Sequence, residues 1–376
     1  LGGAERLYLQ ECLDSNWVSS AGPFVERFEQ MVADYLGTRY AVAMVNGTAA
    51  LHVALLVAGV RPDDEVLVSA LSFIAPANAI RYVGAWPVFI DAEPDHWQMD
   101  PGCVARFLER DCRWTGGHLQ DRTTGRRVTA ILPVHILGHP VDLDPILEWA
   151  EKFGLVVVED ATESLGAEHC GRKVGNLGHI ACLSFNGNKL ITTGGGGMLV
   201  TNDERWALRA RHLSTQAKQD VVEYVHDEIG FNFRLTNIQA ALGVAQMERI
   251  EAHIAAKRAI AAQYTAALRQ VAGLSSMAEA AHAFSVYWLY TVLVDEAVFG
   301  MDSRRLMHGL EAEGIQTRPL WQPLHRSPAH ADQATSACPV SEMLNRRALS
   351  LPSSVGLEPT DQQRVIRAIE GLGPSA

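Results

Sequence analysis

Between residues 40 and 200, short β-rich runs return at intervals, separated by stretches that suit helices: "YAVAMV" at 40, "EVLVSA" at 65, "PVFIDA" at 87, "TAILPVHI" at 129 and "LVVVEDA" at 155. Several of these runs are apolar throughout rather than alternating. Strands read that way when both faces of their sheet are covered. The pattern predicts a mostly parallel sheet wrapped by helices. Two further runs, "ACLSF" at 181 and "GGMLVT" at 196, bring the strands to seven, and the second follows its neighbour too closely for a helical crossover. It is expected to run antiparallel.

From Thr236, "TNIQAALGVAQMERIEAHIAAKRAIAAQYTAALRQV" has the composition of one long amphipathic helix, capped by Thr236 or Asn237. Beyond it, the strand-like "VYWLYTVLV" and the helical "DSRRLMHGLEAEG" and "TDQQRVIRAIEGL" suit a smaller α/β unit. The expected division is a large domain over 1–250 and a small one over 251–376. The polar stretch 103–127 is expected as an excursion from the main sheet.

With 376 residues the chain exceeds the usual single-domain range, in keeping with that division. Its net charge of −11 argues against sequence-independent attraction to nucleic acid or an anionic membrane. No apolar run reaches membrane-spanning length, and the start shows no signal-peptide pattern, so a cytoplasmic protein is expected. The six cysteines form no CxxC pair and the histidines no HExxH pattern. Reduced thiols and no metal site are expected.

Three places carry chemistry. In "NGTAALHVALL", Gly47 and Thr48 sit where a strand turns into a helix, whose free N–H groups attract an anion. Asp160 ends the strand "LVVVED", where open sheets hold ligands, although a helix-capping aspartate would look the same. Lys189 lies between "SFNGN" and four glycines. A lysine that forms an imine with an aldehyde cofactor needs a cramped polar site in which the backbone can pass close by. An aspartate such as Asp160 would then keep the cofactor's pyridine nitrogen protonated, and Ser184 could donate to its phosphate.

With "WVSSAGPFVERFEQMVADYLG", "NGTAALHVAL", "SFIAPANAI", "VVEDATESLGA", "SFNGNK", "GFNFRLTNIQAALG" and "PLH" at 323 in one order, the chain resembles the sugar-nucleotide aminotransferases of the DegT, DnrJ, EryC and StrS type. The resemblance implies fold type I with pyridoxal 5′-phosphate. Lys189 then corresponds to the imine lysine and Asp160 to the partner of the pyridine nitrogen. Phe73 corresponds to the aromatic stacked on the ring, and Gly47, Thr48 and Ser184 to phosphate ligands. Glu163 takes a position near the ring hydroxyl. Asn232 corresponds to a residue reaching the cofactor phosphate of a neighbouring subunit, which implies a homodimer with shared active sites. His325, His135 and Trp321 are candidates for the sugar site, each with an alternative packing or backbone-bonding role.

At Gly195 many members carry Glu, which bears on substrate subclass and not on the lysine or the aspartate. "SFNGNK" with "TTGGGG", the 103–127 excursion and "LPVHILGHPVDLDP" resemble the branch of legionaminic acid and bacillosamine biosynthesis. That likeness implies L-glutamate as amino donor and C4 of a UDP-linked 4-keto-6-deoxy-N-acetylglucosamine as acceptor. Two other readings use the same scaffold. A sugar dehydratase would carry histidine in place of Lys189, and a regulatory cofactor-binding protein would have no need of the Lys189, Asp160 and Ser184 set. A nicotinamide enzyme would place its glycines after the first strand, not between two late ones.

Overall fold

The computed structural model describes residues 1–220, 222–332 and 337–373. Seven strands form the main sheet: β1 (Tyr40–Met44), β2 (Glu65–Ser69), β3 (Trp86–Ile90), β4 (Val128–Leu132), β5 (Val156–Asp160), β6 (Ile180–Ser184) and β7 (Gly197–Thr201). Their order is β1-β7-β6-β5-β4-β2-β3. β7 is antiparallel to both of its neighbours, and the β6–β5, β5–β4, β4–β2 and β2–β3 pairs are parallel. The fully apolar runs have the expected cause. Val66 and Val68 pack into one core layer while Leu67 packs into the other, and Val158 and Val157 divide in the same way. Burying each such side chain is worth about 1.5–3 kcal/mol.

Gly197 explains part of the glycine run. It pairs with Met44 on one side and Ser184 on the other, and a Cβ there would lie 2.3 Å from the Asn46 carbonyl carbon. Only glycine lets β7 enter the sheet beside the turn after β1. Gly195 is different, because a Cβ would meet nothing nearer than Gln239 Nε2 at 3.6 Å.

A second sheet is built from β8 (Leu274–Ser276), β9 (Tyr290–Val294), β10 (Arg318–Pro319) and β11 (Ala348–Leu351), in the order β8-β9-β11-β10. Its core joins Val292, Leu349 and Leu351 to Tyr264, Leu306 and Ile366 from helices. The expected single long helix is two: α1 (Asn237–Met247) and α2 (Ile250–Leu268). Thr236 caps the first in a reciprocal box with Gln239. No glycine or proline marks the break. Arg249 leaves helical geometry at φ −119°, where Glu248 is tied to Tyr8 and Arg27 and Arg249 to the Gly2 carbonyl. The 103–127 excursion holds a hairpin, with Cys112–Thr115 antiparallel to His118–Asp121. Among the described residues, no helix is long and apolar enough to cross a membrane.

Candidate active site

Parallel strands carry their C-terminal ends to one edge of the sheet, and the chemistry gathers there. A cavity of about 270 Å³ is lined by residues from the ends of β1, β5 and β6. It brings together Gly47, Thr48, Phe73, Asp160, Glu163, Ser184, Lys189 and Trp321. The helix Gly47–Val57 opens onto it, with Asn46 as N-cap taking the Ala49 N–H at 2.8 Å. The remaining N–H groups of that first turn have no partner within the helix. A Cβ on Gly47 would stand 2.9 Å from the Ser184 Cβ, so the cradle beside Ser184 exists because residue 47 is glycine.

Asp160 is 2% exposed, and among the described residues its carboxylate receives hydrogen bonds from Thr162 alone, the backbone one at 3.1 Å. Burial pushes its carboxyl above the usual range, against opposing pulls from Thr162 and Lys189. Glu163 is also buried; its Oε2 accepts the Leu137 N–H at 2.9 Å and its Oε1 lies 3.8 Å from Lys189 Nζ. Burial raises this carboxyl to about 7, with Lys189 pulling the other way. The Lys189 ammonium also stands 4.2 Å from the centre of the Trp288 ring, a cation–π placement.

Trp288 went unnoticed in the sequence because "VYWLYTVLV" read as strand from its first residue, whereas β9 begins at Tyr290. Its indole donates to the Asn188 carbonyl at 2.7 Å and lies nearly parallel to Trp321, with ring centres 6.4 Å apart. Lys257 Nζ in turn donates to the Trp288 carbonyl at 2.6 Å. A larger cleft of about 760 Å³ shares Asn188, Lys189 and Trp288 with the first and adds Arg249, Lys257 and Arg318. Lys189 thus lines both spaces.

Three expected site residues lie elsewhere. His135 is fully buried; its Nε2 meets Glu159 Oε2 at 3.2 Å and its Nδ1 accepts the Val141 N–H at 2.9 Å. With both nitrogens engaged it offers no sugar contact, and the backbone-bonding role replaces the substrate one. Burial alone would raise the Glu159 carboxyl, but His135 and the N–H groups of Gly178 and Gly175 hold it low. His325 does not line the cavity either: its Nε2 pairs with Glu342 at 3.0 Å and its Nδ1 is buried without a partner. Asn232 is exposed, bridged to Thr215, and outside its own chain's cavity.

A mostly parallel sheet holding a buried aspartate and a lysine at a glycine-cradled helix N-terminus defines a fold type I pyridoxal-phosphate enzyme. More narrowly, the chain belongs to the DegT/DnrJ/EryC1/StrS aminotransferase family, which it matches over residues 1–370. It is 40% identical over 376 residues to a GDP-perosamine synthase of Caulobacter vibrioides, covering 98% of this chain and 95% of the relative. It is 32% identical over 333 residues to a UDP-2-acetamido-2-deoxy-3-oxo-D-glucuronate aminotransferase of Pseudomonas aeruginosa, covering 88% and 86%. A solved structure of DesV from S. venezuelae, in complex with a ketimine intermediate, superimposes with a TM-score of 0.89 at 32% identity, covering 99% of this chain and 95% of that one. The protein is a pyridoxal-phosphate-dependent nucleotide-sugar aminotransferase.

Proposed function

We propose that this enzyme moves the amino group of L-glutamate to C4 of a nucleotide-linked 4-keto-6-deoxy sugar, in the cytoplasm, for surface-glycan synthesis. The observation that carries the reading is the meeting of Lys189, Asp160 and Glu163 in one cavity at the N-terminus of Gly47–Val57. Asp160 would keep the cofactor's pyridine nitrogen protonated. Gly47, Thr48 and Ser184 would hold its phosphate, and Phe73 and Glu163, which line the same cavity, would bind its ring. Bound in this way, pyridoxal phosphate supplies the electron sink that makes the donor's α-proton acidic. Lys189 Nζ, held between the Trp288 ring and the Glu163 carboxyl, would take that proton from the donor's α-carbon in the first half-reaction and deliver a proton to the sugar carbon that gains the amino group in the second. Arg249 and Arg318 give the larger cleft the local positive charge that an anionic nucleotide needs on a chain of net charge −11.

The large unit, 1–250, holds the cofactor, and the small unit, 251–376, closes the substrate side through Trp288 and Trp321. A second copy of the chain completes each site with Asn232. For the nucleotide, the relative named a GDP-perosamine synthase, at 40% identity, favours GDP. The motif likeness to the legionaminic acid and bacillosamine branch favours UDP-linked 4-keto-6-deoxy-N-acetylglucosamine. Incubation with glutamate and GDP-, UDP- and dTDP-linked 3-keto and 4-keto sugars separates these, with product position and stereochemistry read by NMR. Amination of 3-keto sugars alone would overturn the C4 assignment.

A further inference from the structure

Away from the cofactor cavity, three distant segments bring metal-ligating side chains to one point. His169 ends the short strand Glu168–His169, which pairs antiparallel with Ala283–Phe284, so His282 arrives beside it. The two imidazole centres are 5.0 Å apart. Asp142 and Asp144 approach from the loop and first turn of the helix Asp144–Phe153. Donor atoms of Asp142, His169 and His282 all lie within 4.8 Å of one another. His169 is 1% exposed, and among the described residues neither of its ring nitrogens makes a hydrogen bond. Its Nε2 instead faces the Asp144 carboxylate at 3.3 Å and the Asp142 carboxylate at 3.9 Å. A buried imidazole with both nitrogens unsatisfied is costly unless something else occupies one of them.

We propose that His169, His282 and Asp142 bind a divalent transition-metal ion of the zinc type, with Asp144 in reach as a fourth donor. Imidazole and carboxylate together suit this class of ion and not calcium or magnesium, which take oxygen ligands. Donors bound 2.0–2.2 Å from one ion at tetrahedral angles stand roughly 3.4 Å apart, so the donor atoms, which lie within 4.8 Å of one another, close by up to about 1.4 Å. Asp142, with 44% of its side chain exposed, has the freedom to supply that movement. His139 stays outside the set, because its Nδ1 bonds the Pro140 carbonyl and its Nε2 accepts the Ala280 N–H. Cys170 also comes within ligating distance of Asp144 and His169, at the same place. The separate grouping at His212 is engaged, with Asp227 on His212 and Glu228 on Arg209. The ion would pin residues 142, 169 and 282 together, and no sequence spacing motif joins positions so far apart.

The test uses untagged, cofactor-loaded enzyme freed of metal on a chelating resin. Zn²⁺ is titrated against a chromophoric chelator, Co²⁺ absorption reports the coordination, and thermal unfolding is followed with and without Zn²⁺. One ion per chain should bind, with a rise in Tm. Each of His169→Ala, His282→Ala and Asp142→Asn should weaken binding at least about tenfold and abolish the Tm rise. His212→Ala should do neither. Should His169→Ala fail to fold, the other two variants decide, since both positions are partly exposed. Absence of micromolar binding to the wild type, or equal binding by the His282→Ala and Asp142→Asn variants, would overturn the proposal. Because the readout is metal affinity and not turnover, failure here leaves the aminotransferase reading untouched.

Discussion

Replacing Glu163 with glutamine tests the electrostatics of the active site in the apoprotein. Glu163 is 4% exposed, and burial raises its carboxyl from 4.5 to about 7 while Lys189 pulls it down. At about 1.36 kcal/mol per pH unit, the rise corresponds to roughly 3 kcal/mol. Between the two values the unfolded chain has released this proton and the folded chain keeps it. The contribution is therefore fully present below 4.5 and lost as pH climbs through about 7. Glutamine retains an oxygen for the Leu137 N–H and has no proton to lose. Urea unfolding of both apoproteins, followed by circular dichroism from about pH 5 to about pH 8, should show the wild type losing roughly 2–3 kcal/mol relative to the variant. The loss should flatten above neutrality. In a Lys189→Ala background it should move to higher pH, because the lysine's pull is gone. A stability difference that is flat in pH would refute the argument and make Glu163 an ordinary ionised carboxylate.

Lys189→Ala should still bind cofactor through Ser184 and Thr48 but lose turnover, and borohydride should fix the cofactor to residue 189 of the wild type by peptide mapping; an adduct on another lysine would displace the assignment. Asp160→Asn should lower kcat by about 10²-fold or more, whereas near-normal turnover would leave this aspartate a structural role. Mixing Lys189→Ala with Asn232→Ala subunits makes about half the dimers hybrid, so activity should recover toward about a quarter of all sites. No recovery, with exchange proven by a tagged subunit, would place Asn232 in its own chain's site. Gly197→Ala should cost more than about 3 kcal/mol of stability by forcing apart β7 and Asn46, while Gly195→Ala should be nearly neutral; equal effects would contradict the steric account.

Local pattern alone determined much of this protein. A strand buried on both faces is apolar at most positions, so all seven main-sheet strands were visible as runs, including the antiparallel β7. Asp160 and Lys189, which the structure brings to one cavity, stood out locally: one is a charged side chain at a strand end, the other follows a Ser/Asn-rich turn a few residues before a glycine run. Contacts between distant segments stayed hidden. Trp288 lies 99 residues beyond Lys189 in the numbering and meets it only once the second sheet packs against the first. The break at Arg249 has no local signal, because the groups that hold Glu248 and Arg249 belong to the first 27 residues. His135 looked like a site residue because it follows a strand end. Burial against Glu159 and Val141 gave its two nitrogens other partners, and a sequence does not encode burial one residue at a time. Periodicity fixes which face of an element is apolar, but which polar groups meet across the fold depends on packing, and packing is decided by the whole chain at once.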